Sequence, residues 1–184
     1  MRPQPRYDQV VDALSGETAT DHSRIQVRPA VADEVESVGR LTLDAYAHNG
    51  FILEKDSYAE HLLAAASRRN DAELLVAELC GHFVGTVTFC PEGSPFREAA
   101  LPGEGEFRML AVRPDARRRG VAEALVDRCI ERSRELGCTA VVLCTLPVQV
   151  QAHALYERLG FRRAPELDWS PAPEVDLMGF RLTL

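Results

Sequence analysis

The residues with the most chemical potential lie in one short stretch, Arg113-Pro114-Asp115-Ala116-Arg117-Arg118-Arg119-Gly120. Four arginines fall within seven residues there, in a chain that is acidic overall, with 21 Lys and Arg against 28 Asp and Glu and a formal net charge of −7. The stretch follows an apolar run ending Leu110-Ala111-Val112 and precedes a long amphipathic segment, so it reads as strand, tight basic loop, helix. A helix N-terminus offers unpaired N–H groups and about half a positive charge, which suits a phosphate. Gly120 removes the side chain where a diphosphate would approach the backbone. Spacing alone leaves two readings open, a phosphate-binding turn or a solvated basic loop. It removes the main support for two familiar nucleotide loops, since there is no GxxxxGK[ST] and no GxGxxG after a strand.

The elements that must position this turn follow from hydrophobic patterning. Ile25 to Arg28 alternates and stops at Pro29, as a short strand does. Asp33 is expected to cap a helix carrying Val35, Val38, Leu41, Leu43 and Ala45 at helical spacing, ended by a turn at Asn49-Gly50. A second helix is expected from about Ser57 through Leu63, stopping before Arg68-Arg69-Asn70-Asp71. Glu73 to Leu79 and His82 to Cys90 are β-rich and joined by Cys80-Gly81, the signature of a hairpin. Pro91 to Gly103 is loop, and Glu104 to Val112 a strand. Arg118 to Leu136 reads as a helix with an apolar stripe of Ala122, Leu125, Val126, Cys129, Ile130, Ser133 and Leu136, closed by Gly137. Thr139 to Thr145 suits a strand covered on both faces. Val150 to Leu159 is a short helix, and Val175 to Leu184 supplies one or two last strands. The order predicts a single α/β domain around a mixed sheet.

Composition narrows the setting. At 184 residues and 46% hydrophobic content the chain fits one globular domain. Clustered Lys and Arg, which non-specific nucleic-acid binding requires, are not the general pattern, so no nucleic-acid partner is expected. No apolar run nears the ~20 residues of a membrane span, and Met1 to Asp21 has no signal-like apolar region. A cytoplasmic protein with no membrane partner is expected, with residues 1–23 as a flexible arm before a domain over 24–184. The five cysteines, Cys80, Cys90, Cys129, Cys138 and Cys144, form no CxxC pair. Cys80, Cys129 and Cys144 sit in apolar runs, so reduced buried thiols are expected rather than a disulfide framework. The five histidines have no metal-ligand spacing, and no metal is expected.

Two motifs then carry a resemblance. Arg117-Arg118-Arg119-Gly120-Val121-Ala122 resembles the R/Q-x-x-G-x-G/A signature of the GCN5-related N-acetyltransferases, the GNAT superfamily, and sits in the same strand-to-helix setting. Ala152-His153-Ala154-Leu155-Tyr156-Glu157-Arg158-Leu159-Gly160-Phe161 resembles the family's second hallmark, A-x-x-L-Y-x-x-x-G-F. The element order is similar over about 160 residues. The resemblance implies a GNAT-like fold in which a splayed pair of strands forms an acyl-CoA cleft. It implies that acetyl-CoA is the co-substrate, with Arg117, Arg118, Arg119, Gly120, Val121 and Ala122 at its diphosphate and Leu110, Ala111 and Val112 along its pantetheine arm. A backbone N–H near Leu110 would polarise the thioester carbonyl, and Tyr156 would protonate the departing thiolate; a helix tyrosine packing on the sheet is the competing reading of Tyr156.

The chemistry of amine acetylation agrees with those roles. A lysine-like amine has a pKa near 10.4, so only about one molecule in a thousand is neutral at pH 7.4, and a proton acceptor is needed. Glu106, four residues before Leu110, matches a general-base position in some family members. Glu104 shares its face and is the reserve; a surface glutamate at a sheet edge is the competing reading. Gln149 stands where the second motif often has asparagine, so an asparagine-like contact to pantetheine is not assumed. The implied reaction is direct acetyl transfer to a primary amine of a small molecule or protein, a small cationic acceptor being favoured by the acidic charge. The alternatives are a non-catalytic acyl-CoA sensor or partner module, and transfer of a different acyl group. Tyr46, Phe51 and Tyr58 lie in the segment that commonly shapes the acceptor pocket in this family, and Trp169 in a late loop that could close it; for these aromatics two readings stay open, lining a pocket or filling core. Pairing of two copies through the C-terminal strands is a further expectation.

Overall fold

Residues 25–48, 50 and 57–184 are described by a computed structural model. The expected arm over 1–23, the start of the domain at Arg24, and the residues His22, Asn49 and Phe51 lie outside them. Strand β1 (Ile25–Pro29) leads through a 3-10 turn at Ala32–Glu34 into α1 (Val35–His48). Glu34, not Asp33, closes this entry: its carboxylate accepts the Val31 N–H at 2.9 Å and the Arg28 guanidinium at 2.8 Å. Helix α2 (Ser57–Leu63) is followed after one residue by α3 (Ala65–Asp71). That third helix runs through the arginines at which the sequence pattern predicts a stop, because Arg68 turns inward rather than to solvent.

Strands β2 (Glu73–Leu79) and β3 (His82–Cys90) form the expected hairpin. Both turn residues adopt positive φ, Cys80 at 52° and Gly81 at 77°, the signature of the tight turn that matches strand twist. Cys80 is therefore exposed, against the expectation of burial, while Cys90 and Cys129 are buried and all five thiols are free. Next come β4 (Glu104–Val112), α4 (Val121–Glu135), β5 (Ala140–Thr145) and α5 (Val150–Arg158), then β6 (Arg162–Arg163), β7 (Trp169–Ala172) and β8 (Val175–Thr183). Trp169 thus opens a strand rather than sitting in a loop.

The sheet order is β1-β2-β3-β4-β5-β8-β6, with β7 beside β8. Only β4 and β5 pair in parallel; the other described pairs are antiparallel. Helix α4 packs Val121, Leu125, Val126, Cys129 and Ile130 on one face against Phe89, Phe107, Val141, Leu143 and Phe161. Burying each of the larger side chains contributes about 1.5–3 kcal/mol. Gly105 permits this approach, since a Cβ there would stand 2.4 Å from the Ser133 hydroxyl. The stripe ends one turn early, leaving Leu136 at the helix end 44% exposed. Helices α1 to α3 cover the opposite face through Val38, Leu43, Leu62 and Ala65.

Candidate active site

Two features of β4 open the sheet. Its pairing with β5 stops after three positions, the last joining Glu106 to Val142. A register shift against β3 then falls between Thr86 and Thr88, where Met109 adopts a φ of 54°. Such a bulge bends a strand and ends regular pairing. Among the described residues β4 has no partner on its β5 side from Phe107 onward, so the Leu110, Ala111 and Val112 backbone borders a gap.

That gap leads to the start of α4. The helix begins at Val121, three residues later than the apolar pattern suggests, because Arg118 (φ 58°) and Gly120 (φ 84°) are both left-handed. A left-handed residue cannot continue a right-handed helix, and an arginine held there stores roughly 1–3 kcal/mol of strain. Among the described residues no side chain caps the helix, and its first interior bond is Ala124 N–H to Gly120 C=O at 2.9 Å. By helix geometry the N–H groups of Val121 and Ala122 precede the first intrahelical donor. The arginines divide their labour. Arg113 is tied to Asp115 at 2.6 Å and Arg117 Nε to the Val112 carbonyl at 3.4 Å, while Arg118 is exposed at the turn.

Tyr156 sits on α5 at the inner end of the gap, 5% exposed. Its ring packs on Phe107, Phe161 and Phe180 with centroids 5.9, 6.0 and 6.1 Å away. Burial raises its pKa well above the usual tyrosine value, so the phenol keeps its proton. The hydroxyl makes no hydrogen bond to another described residue. Nearby, Gln149 spends its amide oxygen on its own turn, accepting from Thr145 Oγ1 at 2.5 Å and Leu146 N–H at 3.0 Å. His153 bonds the Leu146 carbonyl at 3.0 Å and leans on Phe180, which makes it a packing residue.

The two strand glutamates differ from expectation. Glu106 is not at an edge: it is 1% exposed in the middle of the sheet. Its Oε2 accepts the N–H groups of Glu98, Ala99 and Ala100, each at 3.0 Å. Glu104 accepts the Leu101 N–H at 2.8 Å and the Arg181 Nε at 2.9 Å. Together they pin the 91–103 loop to the sheet. Carboxylates so engaged have few lone pairs left for an incoming amine proton.

The face bearing α1 to α3 holds side chains that spacing alone does not single out. Arg68 is fully buried, donating to the Leu62 carbonyl at 2.7 Å and Thr88 Oγ1 at 3.2 Å, with its Nε unsatisfied. Burial lowers its pKa to about 10, which leaves it charged at neutral pH. Arg108 reaches Glu98 at 2.6 Å and the Phe96 carbonyl at 2.9 Å. Tyr58 stacks on His61 at 6.1 Å and lies 6.5 Å from Tyr46. Burial pushes the Cys144 thiol up to about 11, so it is not a ready nucleophile. Two shallow grooves, one between α1 and Pro114 and one between β1 and α4, are lined by neither Leu110, Ala111 and Val112 nor Tyr156.

A family profile described as Acetyltransferase (GNAT) family matches residues 37–161, taking in the gap, the left-handed turn and Tyr156. The chain belongs to this GNAT family. Its fold is shared with an acetyltransferase of the family from Staphylococcus aureus Mu50 (TM-score 0.68, 16% identity, 87% of this chain and 99% of that one). It is also shared with an acetyltransferase from Salmonella typhimurium solved with its cofactor acetyl-CoA (TM-score 0.62, 20% identity, 87% and 94% covered). In sequence this GNAT chain is similar to N-acetylaspartate synthetase of Danio rerio, 44% identical over 93 residues, 42% of this chain and 33% of that protein. It is likewise similar to human N-acetyltransferase 8B, 37% identical over 89 residues, 48% of this chain and 37% of that protein. The matches thus span about a third of these relatives' own lengths. Among the described residues no helix is long and apolar enough to cross a membrane.

Proposed function

We propose that this chain is an acetyl-CoA-dependent N-acetyltransferase that passes an acetyl group directly to a primary amine, within a domain over residues 24–184. One observation carries the reading: the unpaired edge of β4 runs into an uncapped helix start built on two left-handed residues. Backbone N–H groups from Arg118 to Ala122 would hold the CoA diphosphate, with Arg117, Arg118 and Arg119 supplying charge. The edge of β4 over Leu110, Ala111 and Val112 would take the pantetheine arm as a strand takes a partner. An N–H near Leu110 would stabilise the developing oxyanion. Tyr156, kept protonated by burial, would donate to the departing thiolate.

The acceptor is a small molecule or a protein amine, and the net charge of −7 favours a cationic one. The cytoplasmic setting and a homodimer joined by the C-terminal strands belong to the same proposal. Calorimetry with CoA and acetyl-CoA, followed by thiol release with spermidine, L-lysine and L-aspartate, tests it. Binding with amine-dependent release is expected. Binding without release leaves an acyl-CoA sensor, and no heat at millimolar ligand removes the reading altogether. Competition among acyl-CoA chain lengths fixes the acyl group.

A further inference from the structure

Resting on the acetyl-transfer reading, we infer that Glu98, in the loop between β3 and β4, is the catalytic residue that takes the proton from the acceptor amine, and that Glu106 is the positioning residue that presents it. The argument starts where the sheet opens. Glu106 and Val142 are the last paired residues of β4 and β5. Arg108 and Cys144 come next on the same face, one on each side of the gap. The Glu98 carboxylate sits with both, bonded to Arg108 at 2.6 Å and within electrostatic reach of Cys144. It therefore stands over the mouth of the gap on the face away from α4.

Glu98 is also the acid in this cluster with a route to solvent. Its side chain is 30% exposed, whereas Glu106 is closed off beneath the loop. Glu106 accepts the backbone N–H of Glu98 itself, so the buried carboxylate fixes the loop residue that carries the accessible one. The groups facing Glu98 are Arg108 and Glu106 from β4, Tyr58 and His61 from α2, Cys90 from β3 and Cys144 from β5. Burial raises the Glu98 pKa; Arg108 opposes this, and Glu106 adds to it. A raised carboxyl pKa makes a better proton acceptor, provided it still ionises below neutral pH.

The step balances as follows. The ammonium gives one proton to Glu98, which returns it to solvent. The neutral nitrogen attacks the thioester carbon, the N–C bond forms, and the C–S bond breaks with its electron pair leaving on sulfur. The nitrogen sheds a second proton to the emptied Glu98 as the amide forms. Tyr156 protonates the thiolate and is reprotonated from solvent.

The test is the pH profile of Glu98→Gln beside wild type, by thiol release with acetyl-CoA and the fastest of spermidine, L-lysine and L-aspartate. Glu98→Gln is expected to cut kcat by about 10²-fold at pH 7. Its deficit closes toward pH 10, where the amine is neutral without help. The KM for acetyl-CoA is unchanged, and Glu98→Asp recovers part of the rate. Equal rates at pH 7, or a deficit constant across pH, overturn the inference while wild-type turnover leaves the acetyl-transfer reading standing. No turnover by wild type sinks both.

Discussion

The two sides of the β4 gap are built from different materials. On the α4 side the contacts offered are main-chain amides, and side chains matter mainly where they are missing, at Gly105 and Gly120. On the α1–α3 side the material is side chains, with the buried Arg68, and Arg108, Glu98 and the Tyr46, Tyr58 and His61 rings, in mutual contact or field. A constant ligand such as CoA can be held by backbone geometry, which tolerates little sequence change. A variable acceptor must be read by side chains, which can change freely on the same fold.

The largest expected effect tests the backbone half. Gly120→Val forces a β-branched residue into a left-handed φ of 84°, and acetyl-CoA affinity by calorimetry is expected to fall by about 100-fold or more. Arg118→Ala removes one exposed charge and should weaken binding by only about three- to tenfold, with a shallower salt dependence. Equal losses would mean that side-chain charge, not main chain, holds the diphosphate.

Next comes Tyr156→Phe, which keeps the ring packing and deletes the proton donor. A fall in kcat of about 30-fold with CoA affinity intact is expected. Because burial holds the phenol protonated, a group with a raised pKa keeps its acid form to higher pH. Wild-type kcat is therefore expected to show no alkaline fall through pH 10, the usual tyrosine value. A fall below pH 9 would break the assignment.

Smaller effects address stability. Glu106→Ala leaves the part-buried N–H donors of Glu98, Ala99 and Ala100 without their acceptor, which should cost about 2–4 kcal/mol and lower Tm by about 5–12 °C. Proteolysis should then begin in the 91–103 loop. Gly105→Ala should cost about 1–3 kcal/mol by pushing α4 off the sheet, with CoA affinity changing least of all.

What could be read from the sequence follows the same division. The strands over 73–79 and 82–90, the β4 segment and the basic turn announce themselves through local patterning, and each lies where the pattern puts it. The α4 start did not, because Arg118 and Arg119 have helical propensity and only tertiary context makes residue 118 left-handed. Helix α3 was hidden for a related reason: Arg68 looks like a solvated terminus until its carbonyl and hydroxyl acceptors are brought over it by α2 and β3. The position of Glu106 on its strand was legible, but its occupation by three amides of a loop six to eight residues upstream was not. Glu98 carries no spacing signal at all. Its importance comes from what the Glu106 carboxylate and Arg108 do to a Pro- and Gly-rich loop.

The bulge at Met109 acts on β4 as a phase shift. Phe107 belongs to the α4 face, and so do Leu110 and Val112, although strict alternation would have sent those two to the other side. Met109 and Ala111 take the α1–α2 face instead. Deleting Met109 would restore even counting, keep Leu110 and Val112 on the α4 face by plain alternation, and let the strand zip onto β5. The cleft exists because this strand is one residue too long to stay in step.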